Sequence, residues 1–155
     1  SQLTYYYRNK QGLFTQVINR MIRRYLHEIE DILTSAANPK ERMALLVRYF
    51  KKLIREQPKL LMLFIDFTAQ ALWVPAFRKQ VDELFDSITE MIETSILNGS
   101  ENRENLRGHS SRSLAKLILG ALYGTSVQVL LGFHQEEDMQ AIHLAENLFQ
   151  KECFE

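Results

Sequence analysis

Little in this chain of 155 residues can be oxidised, coordinated or bent sharply. Cys153 is the only cysteine. An intrachain disulfide is therefore excluded, and a reducing, cytoplasmic setting is expected. The four histidines, His27, His109, His134 and His143, do not fall at the close helical intervals that aim two imidazoles at one ion. With no cysteine pair beside them, no metal site and no cofactor are expected. No Gly-rich phosphate loop and no Ser nucleophile elbow is present, so the sequence reads as a non-enzyme. No run of about 18 uninterrupted apolar residues occurs, which predicts a soluble protein with no membrane partner.

Only three prolines interrupt the chain, Pro39, Pro58 and Pro75. Between them the apolar residues recur at helical spacing, with no sustained two-residue alternation. A first helix is predicted from Gly12 to Ala36, with Phe14, Ile18, Met21, Tyr25, Ile29 and Ile32 on one face. Pro39 opens a second, whose stripe is Met43, Leu46, Val47, Phe50, Leu53 and Ile54. From Lys59 to Trp73 nearly every position is apolar, which predicts a central rod surrounded by other helices. Pro75 begins a fourth helix to about Asn98, followed by a polar loop to His109. Two more are expected over Ser111–Phe133 and Glu136–Phe154. The fold class is all-α, a multi-helix bundle.

Lys+Arg and Asp+Glu are equal at 19 each, so net charge identifies no partner. The distribution is polar. Arg8, Lys10, Arg20, Arg23 and Arg24 precede the first acid, Glu28, whereas Glu136, Glu137, Asp138, Glu146, Glu152 and Glu155 face one late cation, Lys151. The basic end suits a polyanion.

At that basic end stands Leu3-Thr4-Tyr5-Tyr6-Tyr7-Arg8-Asn9-Lys10-Gln11-Gly12-Leu13-Phe14. Phenols and cations at a helix terminus suit phosphate oxygens, although a first turn packing its tyrosines on a core explains the same spacing. The run resembles the exit of the recognition helix in the tetracycline-repressor (TetR) family, where one helix ends and the next begins. Thr4 stands where a tyrosine is commoner, and Gln11-Gly12 replaces an acidic pair. The resemblance covers about the first twenty residues. It implies that residues 1–11 are the end of an incomplete helix-turn-helix and that residues 12–155 form an effector-binding and dimerisation domain. The absent initiator Met favours a chain extending further upstream. By the same resemblance Tyr5, Tyr6 and Lys10 would clamp phosphates of an operator duplex, with Gln2 and Thr4 nearest the base edges.

The family dimerises through its last two helices. Gly120 and Gly124, four apart in an apolar helix, suggest the close approach of another backbone or a ligand. Leu117, Gly120, Gly124, Val127, Leu131, Ile142 and Phe149 are accordingly expected at a homodimer seam, with packing inside one subunit as the alternative. Asp66 is an acid inside an apolar run and needs solvent or a partner. Met62, Asp66, Gln70 and Trp73 share one face and are expected to form a ligand wall, joined by Phe67, Phe85 and Tyr123. The alternatives are a salt bridge for Asp66 and plain core for the aromatics. The function expected is a ligand-responsive regulator, a repressor released by a small hydrophobic or amphipathic effector. A helical lipid-binding or protein-interaction module without a DNA role is the alternative.

Overall fold

The computed structural model describes the backbone of residues 2–97, 108–132 and 135–155, with side chains from residue 12 onward apart from 135. Among the described residues six α-helices form the bundle: α1 (Gln2–Ser35), α2 (Pro39–Glu56), α3 (Pro58–Ala71), α4 (Pro75–Ile92), α5 (Ser111–Leu131) and α6 (Gln135–Phe154). No strand occurs among the described residues, so the all-α class holds.

The prolines set the starts. Each of α2, α3 and α4 carries its proline at the first helical position, where the missing N–H is one that no helix would use. Asn38 caps α2 by accepting from the Glu41 amide at 2.9 Å. Ser110 caps α5 in the same way, accepting from Ser113 at 3.1 Å. Arg42 closes a different junction. Its guanidinium donates to the carbonyls of Ala36 at 3.1 Å and Ser95 at 2.8 Å, tying the end of α1 to the turn that follows α4. That turn, Glu93–Leu97, is a π-helix. Ile96 and Leu97 within it are both buried, as is Ile92 at the end of α4.

Two boundaries differ from expectation. The first helix starts at Gln2 and runs unbroken through Gly12, so the backbone shows no separate helix end near residue 11. A glycine lowers helix propensity by about 1 kcal/mol without forbidding the helix. Second, α3 is not the central rod. Leu61, Phe64, Phe67 and Ala71 are buried, but Leu60 and Met62 are exposed. The central position belongs to α2, which packs against α1, α3, α5 and α6. Its inward stripe is the one expected, with Tyr49 added.

Candidate functional site

The ligand wall expected on α3 faces water. Met62 is 47 % exposed and Trp73 85 % exposed, and Asp66 and Gln70 lie on the same open side. The four do share a face, as the spacing requires. That face is the outer one, so they enclose nothing. Asp66 needs no buried partner: it is solvated and accepts from Gln70 Nε2 at 3.2 Å. Phe67 is fully buried, yet it sits in a separate aromatic contact, 5.9 Å from Phe14 and 4.9 Å from Phe77 between ring centroids.

Phe85 and Tyr123 do meet. Their rings lie edge to face at 5.6 Å, and Phe64 packs edge-on to both and to Tyr25, at 6.3, 6.5 and 5.9 Å respectively. These rings surround a cavity of about 30 Å³ between α1, α2, α3, α4 and α5. Its wall adds Ile29, Tyr49, Leu53, Ile88, Leu119 and Ser126, residues not expected there. One signal stands in the sequence: Tyr25 is the only phenol in the apolar stripe Phe14–Ile32, and buried hydroxyls usually have a partner.

An ionic cluster borders this cavity. Glu28 accepts from Arg24 Nε at 2.8 Å and from the Tyr49 hydroxyl at 2.7 Å. Burial pushes the Glu28 carboxyl up, but the hydrogen bonds from Arg24 and Tyr49 outweigh it and hold the group below its usual value. Burial, then the Glu28 contact, push Tyr49 far up. Tyr25 is pushed up to about 12, chiefly by burial. Its hydroxyl is enclosed and has no hydrogen-bond partner.

The expected dimer residues divide. Ile142 is fully buried within the single chain, where it packs in the bundle core, so the alternative of packing inside one subunit holds for it. Phe149 is half-buried against the same core. Leu117, at 60 % exposed, and Leu131, at 77 %, stand outward on α5, with Gly120 exposed and Gly124 and Val127 half-buried along the same side. A Cβ at Gly120 or Gly124 would meet nothing within 4 Å, so nothing inside the chain requires a glycine at either position. On α6, Leu144 and Leu148 are likewise exposed.

By length and composition, α5 is also apolar enough to cross a membrane. It nevertheless buries Ala115, Ile118, Leu119, Leu122 and Val129 in the bundle. The sequence rule of uninterrupted apolar residues missed it because Arg112 and Lys116 fall within the helix. Among the described residues no group of His, Cys, Asp or Glu could hold a metal ion. The side chains of Gln2, Thr4, Tyr5, Tyr6 and Lys10 lie outside the described residues, although the backbone there is helical. Comparisons with protein-family models, characterised proteins and solved structures return no match.

Proposed function

We propose that the chain is the effector-binding and dimerisation part of a cytoplasmic, ligand-responsive transcriptional regulator of the tetracycline-repressor kind, acting as a repressor. The unbroken α1 departs from the helix end that the resemblance places near residue 11; what supports the reading is that this one helix holds both ends of the device. At its start α1 bears the phenol and cation run of residues 3–10, and roughly three to four turns after Leu13 it supplies Tyr25 and Ile29 to the aromatic cavity. A helix transmits displacement along its axis as a near-rigid rod. Anything that repacks the cavity therefore moves the residues proposed to grip the duplex.

The outward face of α5 and α6 supports the dimer. Leu117, Leu131, Leu144 and Leu148 are exposed on these two helices, and the two glycines of α5 would let a second backbone come close. Two chains joined there would carry two heads, whose separation must match half-sites one helical turn of DNA, or a multiple, apart. An effector that favours the non-binding separation lowers operator affinity by its differential affinity for the two states. A coupling of about 1–3 kcal/mol corresponds to roughly 5- to 150-fold. No catalysis and no cofactor enter this scheme.

The test is selection of duplexes by the full-length protein, followed by affinity measurements over a salt series. Binding that weakens steeply with salt, and that falls further on Tyr5→Phe, Tyr6→Phe or Lys10→Ala, is expected. Retention of lipid vesicles with no duplex selected would instead favour the helical lipid-binding module.

A further inference from the structure

A helix face that meets only water mixes its charges, because opposite signs three or four residues apart attract and like signs repel. Two helices of this bundle follow that rule. On α4 the exposed cations Arg78 and Lys79 each stand four residues before an exposed acid, Asp82 and Glu83. On α1, Arg24 pairs with Glu28 at 2.8 Å, and His27 lies 3.4 Å from Asp31. The second half of α2 breaks the rule. Arg48, Lys51, Lys52 and Arg55 stand three and four apart with no acid between them, so every neighbouring pair in the set is repulsive. Arg48, Lys52 and Arg55 are exposed, and Lys51 is half-buried. Lys52 alone has acids in reach, Glu56 at 4.0 Å and Glu28 of α1. Arg48, Lys51 and Arg55 make no ion pair and no side-chain hydrogen bond within the described residues. Lys59 follows in the first turn of α3, exposed at a helix start whose dipole disfavours a cation.

The four cations of α2 fall within about 100° of arc and spread over about 10 Å of helix axis, at 1.5 Å per residue. One strand of a duplex carries a phosphate every 3.4 Å, so the stripe spans about three of them. What the stripe lacks narrows the partner further. No large hydrophobic side chain of α2 is exposed, and Tyr49 and Phe50 are buried. Insertion into a bilayer needs apolar side chains beside the charge. A protein partner needs an apolar centre to the interface and disfavours lysine. Single-stranded nucleic acid needs aromatic faces on which bases stack. A duplex backbone asks only for cations at a matching spacing.

We infer that the Arg48–Arg55 stripe of α2 is a sequence-independent contact for the sugar-phosphate backbone of double-stranded nucleic acid, separate from the phenol and cation run at the start of α1. The mutual repulsion of its cations is relieved when phosphates replace the missing acids. In calling it an auxiliary grip beside an operator, the inference rests on the regulator reading; the backbone contact itself does not.

Fluorescence anisotropy of the full-length protein with a labelled duplex of arbitrary sequence, over a salt series from about 50 to 200 mM, tests the assignment. Each phosphate contact adds about 0.9 to the slope of log affinity against log salt. Arg48→Gln/Lys52→Gln/Arg55→Gln should therefore flatten that slope by about 2.7, and Arg48→Gln or Arg55→Gln alone by about 0.9. Arg48→Lys/Arg55→Lys, which keeps the charge, should retain the slope, and Lys79→Gln on α4 should leave it unmoved. The single variants give the same readout should the triple one fail to fold. The inference is overturned if the stripe variants keep the unmodified slope, or if Lys79→Gln flattens it as much as Arg48→Gln does. Pelleting with phosphatidylserine vesicles that the triple variant abolishes overturns it in favour of a membrane. Loss of stripe-dependent duplex binding with a selected operator still held through Tyr5, Tyr6 and Lys10 overturns this inference alone. Stripe-dependent binding with no sequence selected removes the regulator reading and leaves the α2 contact standing.

Discussion

Helices α3 and α5 are the two most apolar segments of the chain, and each leaves one side open to water, yet the two open sides differ in kind. The side of α3 mixes Met62 and Trp73 with Asp66, Gln70 and the solvated Asp66–Gln70 hydrogen bond. That of α5 presents Leu117, Gly120, Gly124 and Leu131, and the neighbouring α6 exposes Leu144 and Leu148. Scattered exposed hydrophobics among polar groups are ordinary. Exposed leucines gathered on two helices that pack on each other are less so, and under the regulator reading they are the proposed meeting surface between copies. The contrast teaches that apolar composition alone does not place a helix at the centre of a bundle; the position of the few polar residues on it does.

The contrast is sharpest between neighbours on α5. Ile118→Ala, at a fully buried inward position, is expected to destabilise the chain by about 2–5 kcal/mol in denaturant unfolding. Leu117→Asp, one residue away and outward, should leave the isolated chain's stability within about 0.5 kcal/mol. It should instead raise the self-dissociation constant by about 100-fold or more, read by sedimentation. Equal destabilisation by the two would abolish the distinction between the faces.

Smaller effects probe the cavity and the glycines. Because burial raises Tyr25 to about 12 from a usual value of 10.0, its contribution to stability is complete below pH 10 and declines as pH rises towards 12. Tyr25→Phe should flatten that part of an alkaline unfolding profile. Glu28 has the opposite sign: its lowered carboxyl stabilises above its unfolded value of 4.5, and that contribution disappears as pH falls through the lower folded value. Glu28→Gln should flatten the acid limb. Gly120→Ala and Gly124→Ala should each stabilise the isolated helix by about 1 kcal/mol while weakening self-association, a pair of opposite signs that simple repacking would not produce. Least of all, Trp73→Ala and Asp66→Asn should change stability by under about 0.5 kcal/mol.

Much of the framework was legible because proline and helical spacing act locally. Pro39, Pro58 and Pro75 fix where three helices start, and the stripe Met43–Ile54 on α2 is buried as its period requires. The placement of α3 was not legible, since Leu60 and Met62 look like core residues until a neighbour fails to cover them. Met62, Asp66, Gln70 and Trp73 are co-facial as their spacing dictates; which way that face points depends on packing by α2, α4 and α5. Phe85 and Tyr123 are legible as candidates, whereas Tyr49 and Ser126 are not, because the bond from Tyr49 to Glu28 spans 21 positions and both residues reach the cavity only through the convergence of helices around one small space. The start of α1 was misplaced because a lone glycine weakens a helix without ending it.

Self-association decides most directly whether the outward leucines of α5 and α6 form an interface between copies. Sedimentation velocity of the full-length protein at micromolar concentration should show a species of twice the chain mass that Leu117→Asp converts to a folded monomer. A folded monomer in the unmodified protein over the same concentration range would contradict it.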